Sequence, residues 1–232
     1  MFINGFDILW DEIDDYVADI KSIRSIDQFM FTKPVTFFCG ENGSGKSTLL
    51  EALAIKNGLN PEGGTRNYNF STYDSYSNLH KHMRLWRSRK PDWMYFLRAE
   101  SFYNVATKEM EYSGVFSERY HDQSHGQSFF SVLMKQTNKN GLYLLDEPEA
   151  ALSCQNQLAL LYLIQSCVKQ NCQFIIATHS PILLGFPGAQ ILSFDEDKVE
   201  EVDYKSTSSY QTMKLFLDQY DYFVEDIKEN EI

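Results

Sequence analysis

The sequence predicts an α/β fold, a mostly parallel sheet with helices on both faces, and three observations predict it. An apolar strand passes through a glycine-rich loop into a helix over residues 35–56. Two further apolar strands, near 142–145 and 173–178, each end in polar residues. Helical stretches alternate with these strands along the chain.

Val35-Thr36-Phe37-Phe38-Cys39 is β-branched and aromatic, the composition of a buried strand. Gly40-Glu41-Asn42-Gly43-Ser44-Gly45-Lys46-Ser47 follows, and Thr48 to Lys56 is then built of strong helix formers that stop at Asn57-Gly58. Strand, glycine-rich loop and helix stand in the order of a phosphate-binding loop. Glycines at 40, 43 and 45 allow positive φ and close approach of the backbone to a phosphate. The amides from about Asn42 to Ser47 are placed to meet an anion at the helix N-terminus. Lys46 adds a point charge for the β- and γ-phosphates, and the Ser47 hydroxyl is placed for Mg²⁺.

Asp74 to Arg89 predicts an amphipathic helix, with Leu79, Met83 and Trp86 on one face. Lys81, Arg84, Arg87, Arg89 and Lys90 stand within ten positions, with no acid between Asp74 and Asp92. That segment is a candidate nucleic-acid surface. The alternative is a solvated face, or a patch that pairs with the chain's own acids. Trp93 to Leu97 predicts a strand that runs into Arg98-Ala99-Glu100, and residues 107–123 predict loop and turns. Ser124 is a suitable N-cap for a helix carrying Phe129, Phe130, Leu133 and Met134 on one face.

Leu142 to Leu145 ends in Asp146-Glu147, two carboxylates that belong at the C-terminal edge of a sheet, where open α/β sheets bind ligands. A helix from Ser153 to about Gln170 follows. Gln173 to Thr178 predicts another buried strand, after which Ser180 and Pro181 open a helix. The first thirty residues and Ala189 to Tyr204 resemble antiparallel material, a smaller β portion beside the main sheet. The tail from Tyr210 predicts acidic helix, with six acids and one lysine from Asp218 onward.

The 232 residues predict one domain, 1–232, with a helical insertion at about 63–123. The chain carries 21 Lys and Arg against 32 Asp and Glu, a net charge of −11, which argues against coating a polyanion over the whole surface. Six acids and no basic start among the first twenty residues argue against a signal peptide. The longest apolar run, Leu158 to Ile164, is far short of the roughly 20 residues of a membrane span. The four cysteines lack metal-site spacing and read as reduced thiols of a cytoplasmic protein.

These motifs together resemble the ABC-type ATPases, in particular the soluble SMC-like, RecF-like and OLD-like branch, known also as AAA-family ATP-binding proteins. Gly40 to Ser47 matches the Walker A motif, Leu142 to Glu147 the Walker B strand with its adjacent glutamate, and His179 in Ala-Thr-His-Ser-Pro the switch histidine. Ser124-His125-Gly126-Gln127 is similar to the signature LSGGQ, with Gln123 for its Leu and His125 for its first Gly, and lies 22 residues before Asp146. The resemblance covers roughly residues 30–195. It departs from the pattern after the second strand, where Glu100 rather than a glutamine is the nearest polar residue, and at Ser153, where the usual residue is Asp.

The resemblance implies an ATP hydrolase that uses Mg²⁺. Gly40, Asn42, Gly43, Ser44, Gly45, Lys46, Ser47 and Thr48 would hold the triphosphate. Ser47, Asp146 and Glu100 would serve the metal, Glu147 would orient or deprotonate the attacking water, and His179 would bond the γ-phosphate. Ser124, Gly126 and Gln127 would meet the nucleotide of an opposite subunit, which implies an ATP-dependent homodimer. The stretch between Walker A and the signature is too short for a long coiled coil, so the expected role is a bare ATPase head. It would drive conformational change in a DNA-repair, DNA-processing or phage-defence assembly. The alternatives are the cytoplasmic ATPase subunit of an ABC transporter, and a nucleotide-gated switch controlling a partner encoded nearby.

Overall fold

The structure, a computed structural model, describes residues 1–65, 76–98, 134, 137 and 139–229. Strands β3 (Val35–Cys39), β5 (Trp93–Arg98), β6 (Gly141–Asp146), β7 (Gln173–Ala177) and β8 (Gln190–Ser193) form the main sheet in the order β5-β6-β7-β3-β8, all parallel. A two-residue strand, β9 (Glu200–Glu201), adds antiparallel to β8. Every residue of β3, β6 and β7 is buried, as expected where both faces of a parallel sheet are covered.

The period of two sorts these strands into two cores. Phe38, Phe96, Leu144, Ile175 and Leu192 face helix α2 (Lys46–Lys56) through Leu49, Leu50 and Leu53. Phe37, Tyr95, Tyr143, Phe174 and Ile176 face the other way. There they meet α4 (Cys154–Val168) through Leu160, Ile164 and Cys167, and α5 (Pro181–Leu184) through Leu183 and Leu184. Helices thus lie on both faces, as the alternation of elements predicts.

The smaller antiparallel portion is a three-stranded sheet, β2-β1-β4, from β1 (Ile3–Ile8), β2 (Gln28–Met30) and β4 (Met83–Arg87). Two short 3₁₀ turns and the single-turn helix α1 (Lys21–Arg24) lie between β1 and β2. One buried side chain ties this sheet to the main one. Gln173 Oε1 accepts from the amides of Phe2 (2.6 Å) and Ile3 (3.0 Å), and its Nε2 donates to the Ile3 carbonyl (2.8 Å).

The amphipathic helix expected over Asp74 to Arg89 is corrected by the structure. Helix α3 (Leu79–His82) is one turn, and Met83 onward is β4. Pairing with β1 outweighs the helical period here, because the backbone groups of β1 need a second ladder and Met-Arg-Leu-Trp-Arg can supply it. Trp86 lies across Gly5, where a Cβ would stand 2.8 Å from the ring, and its Nε1 donates to Asp7 at 2.7 Å. Of the expected helical insertion at 63–123, residues 79–98 are therefore one helical turn and two strands, and much of the rest lies outside the described residues. The loop expected at 107–123 and the helix start at Ser124 lie outside them too. The acidic tail is two helices, α6 (Ser208–Asp218) and α7 (Tyr220–Glu229), neither with a buried residue.

Candidate functional site

The parallel register brings the expected groups to one edge. Arg98 is opposite Asp146, Asp146 opposite Ala177, and Phe38 opposite Ala177, so β3, β5, β6 and β7 all end at the same level. The loop after β3 turns through Gly40 (φ 138°), Gly43 (φ 79°) and Gly45 (φ 97°). Gly45 also has no room for a side chain: a Cβ there would stand 2.7 Å from Ile23 and 2.9 Å from Ile20. It is the N-cap of α2 and offers no side-chain cap, so the amides of the first turn are left for a ligand.

Lys46 is almost wholly buried, 3% exposed, and its Nζ lies folded over the loop. It donates to the carbonyls of Gly40 and Glu41, both at 2.7 Å, and to Ser44 Oγ at 3.3 Å. Burial holds its pKa below the usual lysine range, and the negative charges of Glu147, Asp195 and Asp146 oppose that shift. Ser47 Oγ donates to Asp146 Oδ1 at 2.8 Å. Two oxygens from the loop helix and the β6 end therefore converge beside the lysine.

Glu147 leaves the strand in the left-handed region, φ 49° and ψ 50°, with its amide bonded to the Ala177 carbonyl at 2.9 Å. That turn brings Glu147 Oε1 to 3.6 Å from His179 Nε2, a buried atom with no hydrogen-bond partner among the described residues. Glu149 Oε1 accepts from the His179 amide at 2.6 Å and so fixes where the histidine stands. Ser180 caps α5, accepting from the amides of Ile182 and Leu183, while its hydroxyl donates to Gln157 Oε1 at 2.6 Å.

The structure brings Gly40, Asn42, Gly43, Ser44, Gly45, Lys46, Ser47, Thr48, Asp146, Glu147 and His179 to this one edge. Ser124, Gly126, Gln127 and Glu100 lie outside the described residues. Several neighbours escaped the sequence argument. Arg98 places Nη1 2.5 Å from Glu51 Oε2 and Nε 3.6 Å from Asp146 Oδ2. Its signal was available: like Asp146, it is a charge that ends an apolar strand. Asp195, just past β8, accepts from the Glu41 amide at 2.8 Å, and Ser22 Oγ donates to the Ser44 carbonyl at 2.5 Å. Nothing local in the sequence ties either to the loop. A cavity of about 520 Å³ opens beside Gly40, Glu41 and His179 and is roofed by Met213 and Phe216 of α6 and Phe223 of α7.

Of the aromatic residues before Val35, Phe2, Phe6 and Phe31 are buried in the core, which removes them as surfaces for a base to stack on, and Tyr16 is exposed. The basic segment divides. Arg84 pairs with Asp7 at 2.9 Å, as the alternative of pairing with the chain's own acids expects. Arg87, Arg89 and Lys90 turn elsewhere and line a separate cleft. Among the described residues, no helix is long and apolar enough to cross a membrane.

Two family models match the chain: an AAA domain over residues 17–83 and an AAA ATPase domain over residues 125–184. An uncharacterized ABC transporter ATP-binding protein of Haemophilus influenzae is 28% identical over 183 residues, covering 68% of each chain. Among solved structures, a nucleotide-free ATP-binding cassette from an ABC transporter has 15% identity and a TM-score of 0.46, covering 93% of this chain and 95% of that one. A dimeric bacterial ABC transporter cassette has 15% identity and a TM-score of 0.41, covering 87% and 98%. The loop between β3 and α2, the sheet order and the two domain matches make this chain a P-loop ATPase of α/β fold.

Proposed function

We propose that the chain hydrolyses ATP at this edge as a head-to-tail homodimer and transmits the resulting movement to a DNA-repair, DNA-processing or phage-defence assembly of the cytoplasm. The observation that carries the site is the convergence of Lys46, the Ser47–Asp146 pair and the Glu147–His179 pair around one glycine-rich loop.

The loop amides and Lys46 bind the triphosphate, and Lys46 exchanges its bonds to the Gly40 and Glu41 carbonyls for phosphate oxygens. Thr48, one position further along α2, stands near the α-phosphate. Ser47 Oγ and Asp146 Oδ1 are hard oxygen donors, the kind of which Mg²⁺ takes one or two beside waters and phosphates. The residues fit that ion, which when bound neutralises charge on the β- and γ-phosphates. Glu100, just beyond β5, is the further residue proposed to serve it.

Glu147 accepts a proton from the attacking water as that water's oxygen bonds to the γ-phosphorus and the bond to the ADP oxygen breaks. His179 Nε2, without a hydrogen bond among the described residues, donates to the γ-phosphate. Catalysis of this type is positioning and charge stabilisation. Ser124, Gly126 and Gln127 would complete the partner subunit's nucleotide site.

The test is Glu147→Gln with ATP, followed by light scattering. A stable dimer with ATP and a monomer without it is the expected result. Monomers in every nucleotide state, with ATP binding verified, would overturn the head-to-tail dimer. A second reading, the cytoplasmic ATPase subunit of an ABC transporter, is favoured by the name of the Haemophilus relative. Co-fractionation with membranes, and loss of it on removing a membrane partner, selects that reading. Nucleotide-dependent capture of a partner encoded nearby, with very slow hydrolysis, selects a switch.

A further inference from the structure

Four cations meet at the end of α2 far from the nucleotide loop. Lys56 is the last residue of α2, and Arg87, Arg89 and Lys90 come from the end of β4 and the turn after it. Together they line a cleft of about 550 Å³. The loop that binds the triphosphate sits at the opposite end of the same helix, about 16 Å away along its axis.

The two guanidinium groups are held in place by neutral partners. Arg87 Nη2 donates to the Lys56 carbonyl and to Asn57 Oδ1, both at 3.1 Å, and its Nε and Nη1 make no hydrogen bond among the described residues. Arg89 lies over the Phe2 ring, 4.5 Å from its centroid, and reaches the Asn171 carbonyl at 3.4 Å. Among the described residues, ion pairs engage Lys21, Arg84, Arg98, His179, Lys198 and Lys214, and none engages these four cations. The chain as a whole is acidic, with 32 Asp and Glu against 21 Lys and Arg, so a cluster of cations stands out in it. Four like charges gathered with no carboxylate among the described lining residues repel one another, and an anion offsets that repulsion. Planar forks already fixed in orientation suit phosphate oxygens.

We propose that this cleft is a second anion site, separate from the nucleotide loop, that takes phosphate groups. The source is either a polynucleotide backbone or a free phosphorylated small molecule. The backbone source rests on the nucleic-acid part of the function proposed above; the phosphate chemistry does not. The structure also revises which residues serve it: Lys56 joins from α2, and Arg84, engaged by Asp7, drops out.

The experiment uses Lys46→Ala protein, which lacks the charge of the nucleotide loop. It is titrated with labelled single-stranded and duplex oligonucleotides by fluorescence anisotropy, and with inorganic pyrophosphate by calorimetry. If Lys46→Ala does not fold, wild-type protein saturated with a non-hydrolysable ATP analogue replaces it. At least one probe is expected to bind. The Lys56→Gln/Lys90→Gln pair should weaken that binding about tenfold and lower the log-affinity against log-salt slope by about 1 to 2. Oligonucleotide binding assigns the backbone source, and pyrophosphate binding alone assigns the small molecule. Binding of no probe overturns the site, as does binding that both this pair and Arg89→Gln leave unchanged. DNA-stimulated ATP turnover that survives intact in the Lys56→Gln/Lys90→Gln protein overturns the backbone source while sparing the nucleic-acid function. ATP-dependent dimerisation without binding of any probe overturns the site and leaves the ATPase reading standing.

Discussion

Ser47 and Asp146 stand 99 residues apart in sequence, and Ser47 Oγ donates to Asp146 Oδ1 at 2.8 Å. One oxygen comes from the first turn of α2 and the other from the end of β6, a strand separated from β3 in the sheet by β7. The nucleotide site is therefore assembled from the end of a strand and the start of a helix that are far apart in sequence.

Ser47→Ala and Asp146→Asn should each lower kcat about a hundredfold, with the Mg²⁺ concentration for half-maximal rate rising, as followed by phosphate release. Folding stability should fall by only about 1 kcal/mol in the serine variant, since one hydrogen bond is lost. A serine variant with wild-type turnover at low Mg²⁺ would remove Ser47 from the metal site.

Arg98 binds Glu51 and Asp146 at once, with a side chain 25% exposed. Arg98→Gln leaves two carboxylates facing each other without their cation and should cost about 1–3 kcal/mol in urea unfolding, less than a fully dry pair. Adding Glu51→Gln should recover part of that loss, giving a coupling of about 0.5–3 kcal/mol in a double-mutant cycle. Strictly additive effects would mean that the pair contributes nothing.

Glu51 also carries a pH signature. Burial raises its pKa above the ordinary 4.5, and Arg98 opposes the shift. As pH rises past 4.5 the unfolded chain releases this proton first and the folded protein retains it, so folded stability falls until pH passes the raised value. Glu51→Gln abolishes that component. Its stability relative to wild type should therefore rise between pH 4.5 and neutrality, read from urea midpoints across that window. A constant difference would contradict the assignment.

Gln173 is fully buried and satisfies two amides and one carbonyl of the N-terminal segment. Gln173→Leu strands those groups in the core and should cost about 2–5 kcal/mol. Amide exchange should show β1 opening before β3, β6 and β7. Uniform loss of protection across both sheets would argue that the small sheet is not held by this side chain alone.

The elements legible in sequence are those whose signal is local. Val35–Cys39, Leu142–Asp146 and Gln173–Ala177 announce buried strands by composition, and Gly40, Gly43 and Gly45 announce the loop by the positive φ they alone take cheaply. Met83–Arg87 misleads because its partner, β1, lies some eighty positions earlier. A helical period over Leu79, Met83 and Trp86 carries no trace of that partner. Asp195, Ser22 and Glu149 escape for the same reason: each acts on a residue that a local window does not contain.

The sequence by itself determined the chemistry of the loop and the two strand ends, because glycine conformations, a helix N-terminus and carboxylates expelled from a sheet are properties of short segments. Tertiary structure alone decided which of those segments touch. It set Ser47 on Asp146 and Glu147 beside His179, gave Arg98 two acids, and gathered Lys56 with Arg87, Arg89 and Lys90. Side chains reach only a few ångströms, so contact depends on strand order and register. Those are fixed by the packing of the whole sheet rather than by any one stretch of the chain.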